Sequence, residues 1–194
     1  FGIFDTNIIS AIEEIPIEFF KTENINKNVS LKQKIKNKFD KQFNDAYLAA
    51  VIAQKFQLKS NEKILEIGTG SGYLTAIFSR LSRKVYTTEK LKTLYVLANN
   101  NFKKLKLTNI LSKCEDGLNG WQEESPFDKI FISVVVNQIN DNLIKQINFN
   151  GKIIFPKLSL SGVQILQLFK VDKNESLSKI EDICEVNFNS FKTL

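Results

Sequence analysis

The stretch "KILEIGTGSGYLTAIF", Lys63 to Phe78, decides the fold. An apolar run carrying one acid, Glu66, gives way to glycines at every second position, Gly68, Gly70 and Gly72, and a helix-like run follows. Glycine adopts left-handed backbone and carries no side chain, so a chain uses it to bring its backbone close to a ligand at a strand-to-helix turn. The reading of the whole sequence turns on which ligand that is.

Outward from this turn, strands and helices alternate. "KILEI" reads as a strand, Tyr73 to Leu81 as a helix, "KVYTTE" (84–89) as a strand and Leu91 to Leu105 as a helix. "NILSKC" (109–114) and "DKIFISVVV" (128–136) are strand-like, Asp141 to Ile147 helix-like, and "GKIIFP" (151–156) a further strand. "VQILQLFKV" (163–171) and "DICEVNF" (182–188) read as a late antiparallel pair. Parallel strands need long, right-handed crossovers, so the alternation predicts an α/β fold: a mostly parallel sheet, helices on both faces, and the antiparallel pair at the end.

Before the turn, 46–56 reads as a helix, with Tyr47, Ala50, Val51 and Gln54 at helical spacing. Ile8 to Phe20 also reads as a helix, with Ile8, Ile12, Ile15 and Phe19 on one face and Pro16 kinking or ending it. Residues 24–45 are polar and Lys-rich. There Leu31, Ile35, Phe39 and Phe43 recur every four positions, and Ser30 with Gln33 suits a capping box. With Val29, the same residues fit a period of two, so periodicity leaves this segment open. The expected organisation is an amino-terminal helix and segment over 1–45, then one compact domain over 46–194.

Composition narrows the chemistry. The chain has 194 residues, of which 43% are hydrophobic and 25% charged, as in ordinary globular proteins. No apolar run approaches the ~20 residues that span a bilayer, and no run has the pattern of a signal peptide. Cys114 and Cys184 stand alone and there is no histidine, which argues against a Cys/His zinc site and removes any Ser-His or Cys-His nucleophile pair. No metal site is expected, and the two lone cysteines suit a reducing, cytoplasmic setting. Net charge is +6. Lys-, Asn- and Ile-rich compositional drift explains it, with a nucleic-acid or acidic-membrane partner as the alternative.

Three ligands compete for the glycine turn. A phosphate-cradling loop needs Lys followed by Ser or Thr after its last glycine, and Gly72 is followed by Tyr73 and Leu74. A dinucleotide turn wants a third glycine or alanine where this chain has the bulky Tyr73. S-adenosylmethionine has no pyrophosphate and needs only close approach, which Gly68, Thr69, Gly70 and Gly72 offer. Glu66 would stand near its methionine ammonium. Glu89, ending the next strand, would accept from the ribose hydroxyls. Asp116 would accept from the adenine amino group while Gly117 leaves room for the ring. Singly, each acid has a bland reading as a strand-end or turn-capping carboxylate; together they fall on three consecutive strand ends, where open α/β sheets bind ligands.

With these residues in place, the sequence resembles the protein-L-isoaspartate O-methyltransferases, over nearly its whole length. "LEIGTGSGY" is close to that family's glycine motif. "EDGLNGW" followed by "SPFDKIFIS" is similar to its "GDG…GW…PFD.I" block, and "NGKIIFPK" to its "PGGRLVIP" strand. "IPIEFF" resembles "VPRE.F", and "EVNFNSF" resembles "VRFVPL". The resemblance implies a Rossmann-like class I methyltransferase that uses S-adenosylmethionine to methylate an isoaspartyl carboxylate in damaged protein. That carboxylate is ionised at neutral pH, so the reaction needs no general base. Proximity and desolvation carry it, and good alignment supplies on the order of 7–11 kcal/mol.

The sequence departs from the family on the acceptor side. The loop "P-[IL]-G-x-G-Q-T-I-S-x-P" falls, without a gap, on "KNKFDKQFNDA", Lys36 to Ala46. Gln42 stands at the Thr position and Asn44 at the Ser position, making them the acceptor-side candidates the resemblance supplies. "SVVVNQIN", Ser133 to Asn140, replaces "TAAAPEIP" and sets Val134, Val135 and Val136 where the family has alanines. Lys34, Lys36, Lys38 and Lys41 would gather anionic acceptors or serve as a solvated face. Three functions therefore compete: isoaspartyl repair, a methyltransferase of the same fold with a changed acceptor such as RNA, and a cofactor-binding interaction module without catalysis.

Overall fold

The computed structural model describes residues 2–20 and 45–188. The undecided segment up to 44, with its capping box, its lysines and the candidates Gln42 and Asn44, lies outside the described residues.

Strands β1 (Lys63–Ile67), β2 (Lys84–Thr88), β3 (Ile110–Lys113), β4 (Phe127–Ile132) and β5 (Ile147–Leu158) run parallel. β6 (Gln164–Val171) and β7 (Leu177–Val186) complete the sheet as an antiparallel meander, in the order β3-β2-β1-β4-β5-β6-β7. From β1 the chain steps outward to β2 and β3, then returns to place β4 on β1's other side. That reversal opens a crevice at the strands' carboxyl ends. The helices are α1 (Thr6–Glu14), α2 over 45–56, α3 (Tyr73–Leu81), α4 (Lys92–Lys104) and the short α5 (Asp141–Ile144). Among the described residues no helix is long and apolar enough to cross a membrane.

β1 reads as a near-continuous apolar run because both its faces are covered. Ile64 packs with Val51, Ile52 and Phe56 of α2 and Phe78 of α3. Leu65 and Ile67 face the other way, into a core with Trp121, Val136 and Leu143. α1 through α4 gather on the first face, where α1 and α4 join α3 in a shared core through Ile8, Ala11, Ala98 and Phe102. The second face is covered more thinly, by 3-10 turns at Gly117–Asn119 and Gln122–Glu124, the loop through Ile139, and α5.

Several elements differ from their sequence reading. β4 stops at Ile132, not Val136. Ser133 ends it: its N–H donates to the Ile67 carbonyl at 2.9 Å and its hydroxyl to the Gly68 carbonyl at 2.8 Å. Val134, Val135 and Val136 are buried in the loop that follows. Pro16 does end α1, but the next turn is 3-10 (Ile17–Phe20), so Phe20 and not Phe19 turns inward, meeting the Tyr73 ring edge-on at 5.5 Å. α2 is buried through Ala49 to Ala53, which places Tyr47 and Gln54 off the core. Gln54 instead clamps the amino-terminal chain, accepting from Phe4 N and donating to Gly2 O, both at 2.9 Å. α5 is shorter than expected, and β5 and β7 begin earlier, at Ile147 and Leu177.

Gly72 caps α3 with φ +89°, and a β-carbon there would stand 2.7 Å from Cε1 of the buried Phe102 and 3.1 Å from Cβ of Ala98. The glycine lets α3 begin tight against α4. Gly72→Ala is therefore expected to lower stability by about 1–3 kcal/mol through backbone strain and overpacking. Urea denaturation reads this as a lower midpoint at unchanged slope.

Candidate active site

A cavity of about 490 Å³ opens at the carboxyl ends of β1, β2 and β4. Glu66, Gly68, Thr69, Gly70, Glu89, Asp116 and Gly117 all line it, so seven of the eight cofactor positions expected from sequence converge on one space. Gly72 does not; its bareness serves the helix packing described above.

The turn after β1 is stapled to the tip of β2. Gly68 N and Thr69 N both donate to the Thr88 carbonyl, at 2.9 and 3.0 Å. Gly70 N donates to Glu89 Oε2 at 2.8 Å. Gly70 has φ +56°, and nothing lies within 4 Å of where its β-carbon would stand, so at this residue bare backbone faces open cavity. At Gly68 a β-carbon would collide with the Ser133 hydroxyl, which ties this turn to β4.

Glu89 is buried, and its other oxygen accepts from Leu91 N at 2.9 Å, at the start of α4. A carboxylate oxygen has two lone pairs. Each oxygen of Glu89 is held by one backbone donor and keeps acceptor capacity for a ligand hydroxyl. Glu66 is more enclosed. Its Oε2 accepts from the Thr75 hydroxyl and, at 3.0 Å, from that of Thr87, which also lies 2.6 Å from Thr69 Oγ1. Burial raises its pKa from 4.5 to about 8, against the two hydroxyl bonds and with a small addition from Glu89. The group is therefore largely a neutral acid at pH 7.

Asp116 is exposed, and its Oδ1 accepts from Leu118 N at 3.1 Å, capping a 3-10 turn. Its Oδ2 lies 3.9 Å from Lys90 Nζ. Gly117 does not simply clear space for a ring. A β-carbon there would collide with the Thr88 hydroxyl and stand 3.1 Å from Ile67 Cγ2, so its bareness seats the turn on the tips of β1 and β2.

Sequence reasoning missed two kinds of residue. Thr88 lines the cavity with a buried hydroxyl that has no partner among the described residues. A largely apolar wall is also new, in Leu48 and Ile52 of α2, Phe131, and Asn187 and Phe188 beyond β7; Val134, already singled out from the sequence, joins it. Phe188 stacks edge-on to Phe131 at 6.2 Å. Only the adjacency of "TTE" hinted at the first kind, and no local pattern marks the second. The open backbone at Gly70, the acceptor capacity of Glu89 and the unpartnered Thr88 hydroxyl fit a nucleoside. Among the described residues Lys90 is the only basic side chain on the cavity, which does not suit a pyrophosphate.

The raised pKa of Glu66 has a sign that can be measured. Between pH 4.5 and about 8 the unfolded chain has released this proton while the folded chain retains it. The native state binds more protons, so its stability falls as pH rises through that window. Denaturation midpoints across the range are expected to show the fall, and Glu66→Gln to remove that component.

The chain matches the family model of protein-L-isoaspartate(D-aspartate) O-methyltransferase over residues 2–191. It is 31% identical over 188 residues to the protein-L-isoaspartate O-methyltransferase of Parvibaculum lavamentivorans, covering 96% of this chain and 84% of the relative. The enzyme of that name from Thermosipho melanesiensis is 33% identical, with 94% and 92% covered. A solved protein-L-isoaspartate O-methyltransferase superposes with a TM-score of 0.79 at 27% identity, over 97% of this chain and 62% of that one. A Plasmodium falciparum structure, described as a complex with S-adenosyl-L-homocysteine, shares the fold at a TM-score of 0.72 and 20% identity, with 99% and 93% covered. A match of this extent, on a chain whose strand tips converge as described, shows that the chain belongs to the protein-L-isoaspartate(D-aspartate) O-methyltransferase family.

Proposed function

We propose that the chain is an S-adenosylmethionine-dependent O-methyltransferase that esterifies the free carboxylate of isoaspartyl residues in damaged proteins. The observation that carries this reading is the Gly70 turn: bare backbone opening on a cavity whose next strand tip, Glu89, retains acceptor capacity. S-adenosylmethionine, when bound, supplies an activated methyl group. In this reading Glu89 holds the ribose hydroxyls and Asp116 the adenine amino group. Glu66 faces the methionine ammonium, whose positive charge would draw the buried acid toward its ionised form.

The acceptor half is apolar. Leu48, Ile52, Phe131, Val134 and Phe188 shed water from around an entering carboxylate, and a desolvated carboxylate is the better nucleophile. An isoaspartyl carboxylate arrives already ionised, so the lack of histidine is no obstacle. We place the reaction in the cytoplasm, a reading supported by Cys114 and Cys184 both being free thiols.

Calorimetry with S-adenosylhomocysteine tests the donor half. Gly70→Val fills the open space and is expected to abolish binding. Glu89→Ala is expected to weaken it by about 1–3 kcal/mol, the cost of unpaired polar groups; undiminished affinity would remove the ribose assignment. The acceptor is tested with an isoaspartyl peptide and its aspartyl twin. Methyl ester should form on the first alone, and no ester on either at saturating cofactor would overturn the repair reading.

A further inference from the structure

The β5–β6 hairpin stands at the same end of the sheet as the cavity. Ile154 of β5 pairs with Phe131, a cavity-lining residue of β4. β5 then continues to Leu158, about 13 Å further at the usual rise of a strand. The turn beyond is built from its own backbone: Ser159 N donates to Val163 O at 2.8 Å and Gly162 N to Ser159 O at 3.0 Å, with Ser159 Oγ taking Val163 N at 3.1 Å. With the turn held internally, its side chains are left over. Leu160 is fully exposed, and Leu158 and Val163 are exposed beside it. No charged residue occurs from Leu158 to Phe169, in a chain that is 25% charged.

The root of this hairpin is fastened to the cavity wall. Gln164, the first residue of β6, accepts from Phe188 N at 2.6 Å and donates to Phe188 O at 2.9 Å. Phe188 lies against Phe131, so the root of the hairpin is linked through Gln164 and Phe188 to the wall of the cavity.

The geometry points to the hairpin tip, Leu158 to Val163, as a docking arm for the stretch of acceptor protein that flanks the methylated residue. This inference rests on the repair reading above. An uncharged apolar tip does not discriminate among sequences by charge, as suits an enzyme whose substrates are many. It favours chains whose own apolar side chains are exposed, which in proteins means locally unfolded segments. About four extended residues span the distance from cavity to tip.

Two acceptors separate the arm from the cavity: an isoaspartyl tripeptide too short to reach the tip, and an isoaspartyl peptide with eight residues, leucine and valine among them, on each side. Leu160→Asp alters a fully exposed residue and leaves the cavity untouched. Its KM for the long acceptor is expected to rise about tenfold, the scale of a modest interface contact. Its KM for the tripeptide, its kcat and its affinity for S-adenosylhomocysteine are expected to hold within about twofold, as they would for a contact outside the cavity. Leu160→Ser should move the long-acceptor KM in the same direction by less. An unchanged KM for the long acceptor, or an equal rise for both acceptors, would overturn the arm. A wild-type chain that binds S-adenosylhomocysteine yet methylates neither acceptor would overturn the repair reading, and the arm with it.

Discussion

The carboxylate of Glu89 ties the turn after β1 to the link between β2 and α4, 19 residues further along the chain. One oxygen holds the Gly70 amide in the turn after β1, the other holds the Leu91 amide at the start of α4, and the residue itself directly follows β2. Two charge-assisted bonds to backbone donors fix the tip of one strand against the turn of its neighbour. The floor of the cavity is thus held by the chain's own hydrogen bonds, and a site fixed in this way costs less ordering on binding.

Around that bridge the three glycines divide the work. Gly70 leaves space for a ligand, Gly68 leaves space for the Ser133 hydroxyl, and Gly72 leaves space for Phe102. A single spaced motif therefore closes three different contacts: turn to cavity, turn to β4, and α3 to α4. The two acids nearest the turn also differ. Glu89 accepts one backbone N–H bond on each oxygen and borders the cavity. Glu66, sealed beneath it among three threonine hydroxyls, is pushed to about 8 by burial.

Glutamine side chains supply a second kind of fastening. Gln54 holds Gly2 and Phe4, Gln146 holds Trp121 N at 2.7 Å and Asn119 O at 2.8 Å, and Gln164 holds Phe188. An amide side chain carries one acceptor and two donors, so it pairs with a passing backbone much as a strand would. Each clamp pins a segment without regular structure to the sheet or its helices. Gln164 does so where the apolar wall of the cavity meets the β5–β6 hairpin.

The sequence by itself determined the parallel sheet, the helices α3 and α4 almost to their ends, and the convergence of Glu66, Gly70, Glu89 and Asp116. These follow from local pattern: apolar runs of strand length, helical periodicity, and glycines where backbone must turn sharply. Only the tertiary structure decided that β4 stops at Ser133, that Phe20 replaces Phe19 in the core, and that Gly72 and Gly117 serve packing. It alone brought Gln164 to Phe188 and left the Thr88 hydroxyl without a partner among the described residues. The physical reason is that a strand's end, a glycine's neighbour or a glutamine's partner lies tens of residues away along the chain. Periodicity reports which face of an element is buried, but not which group waits on the other side.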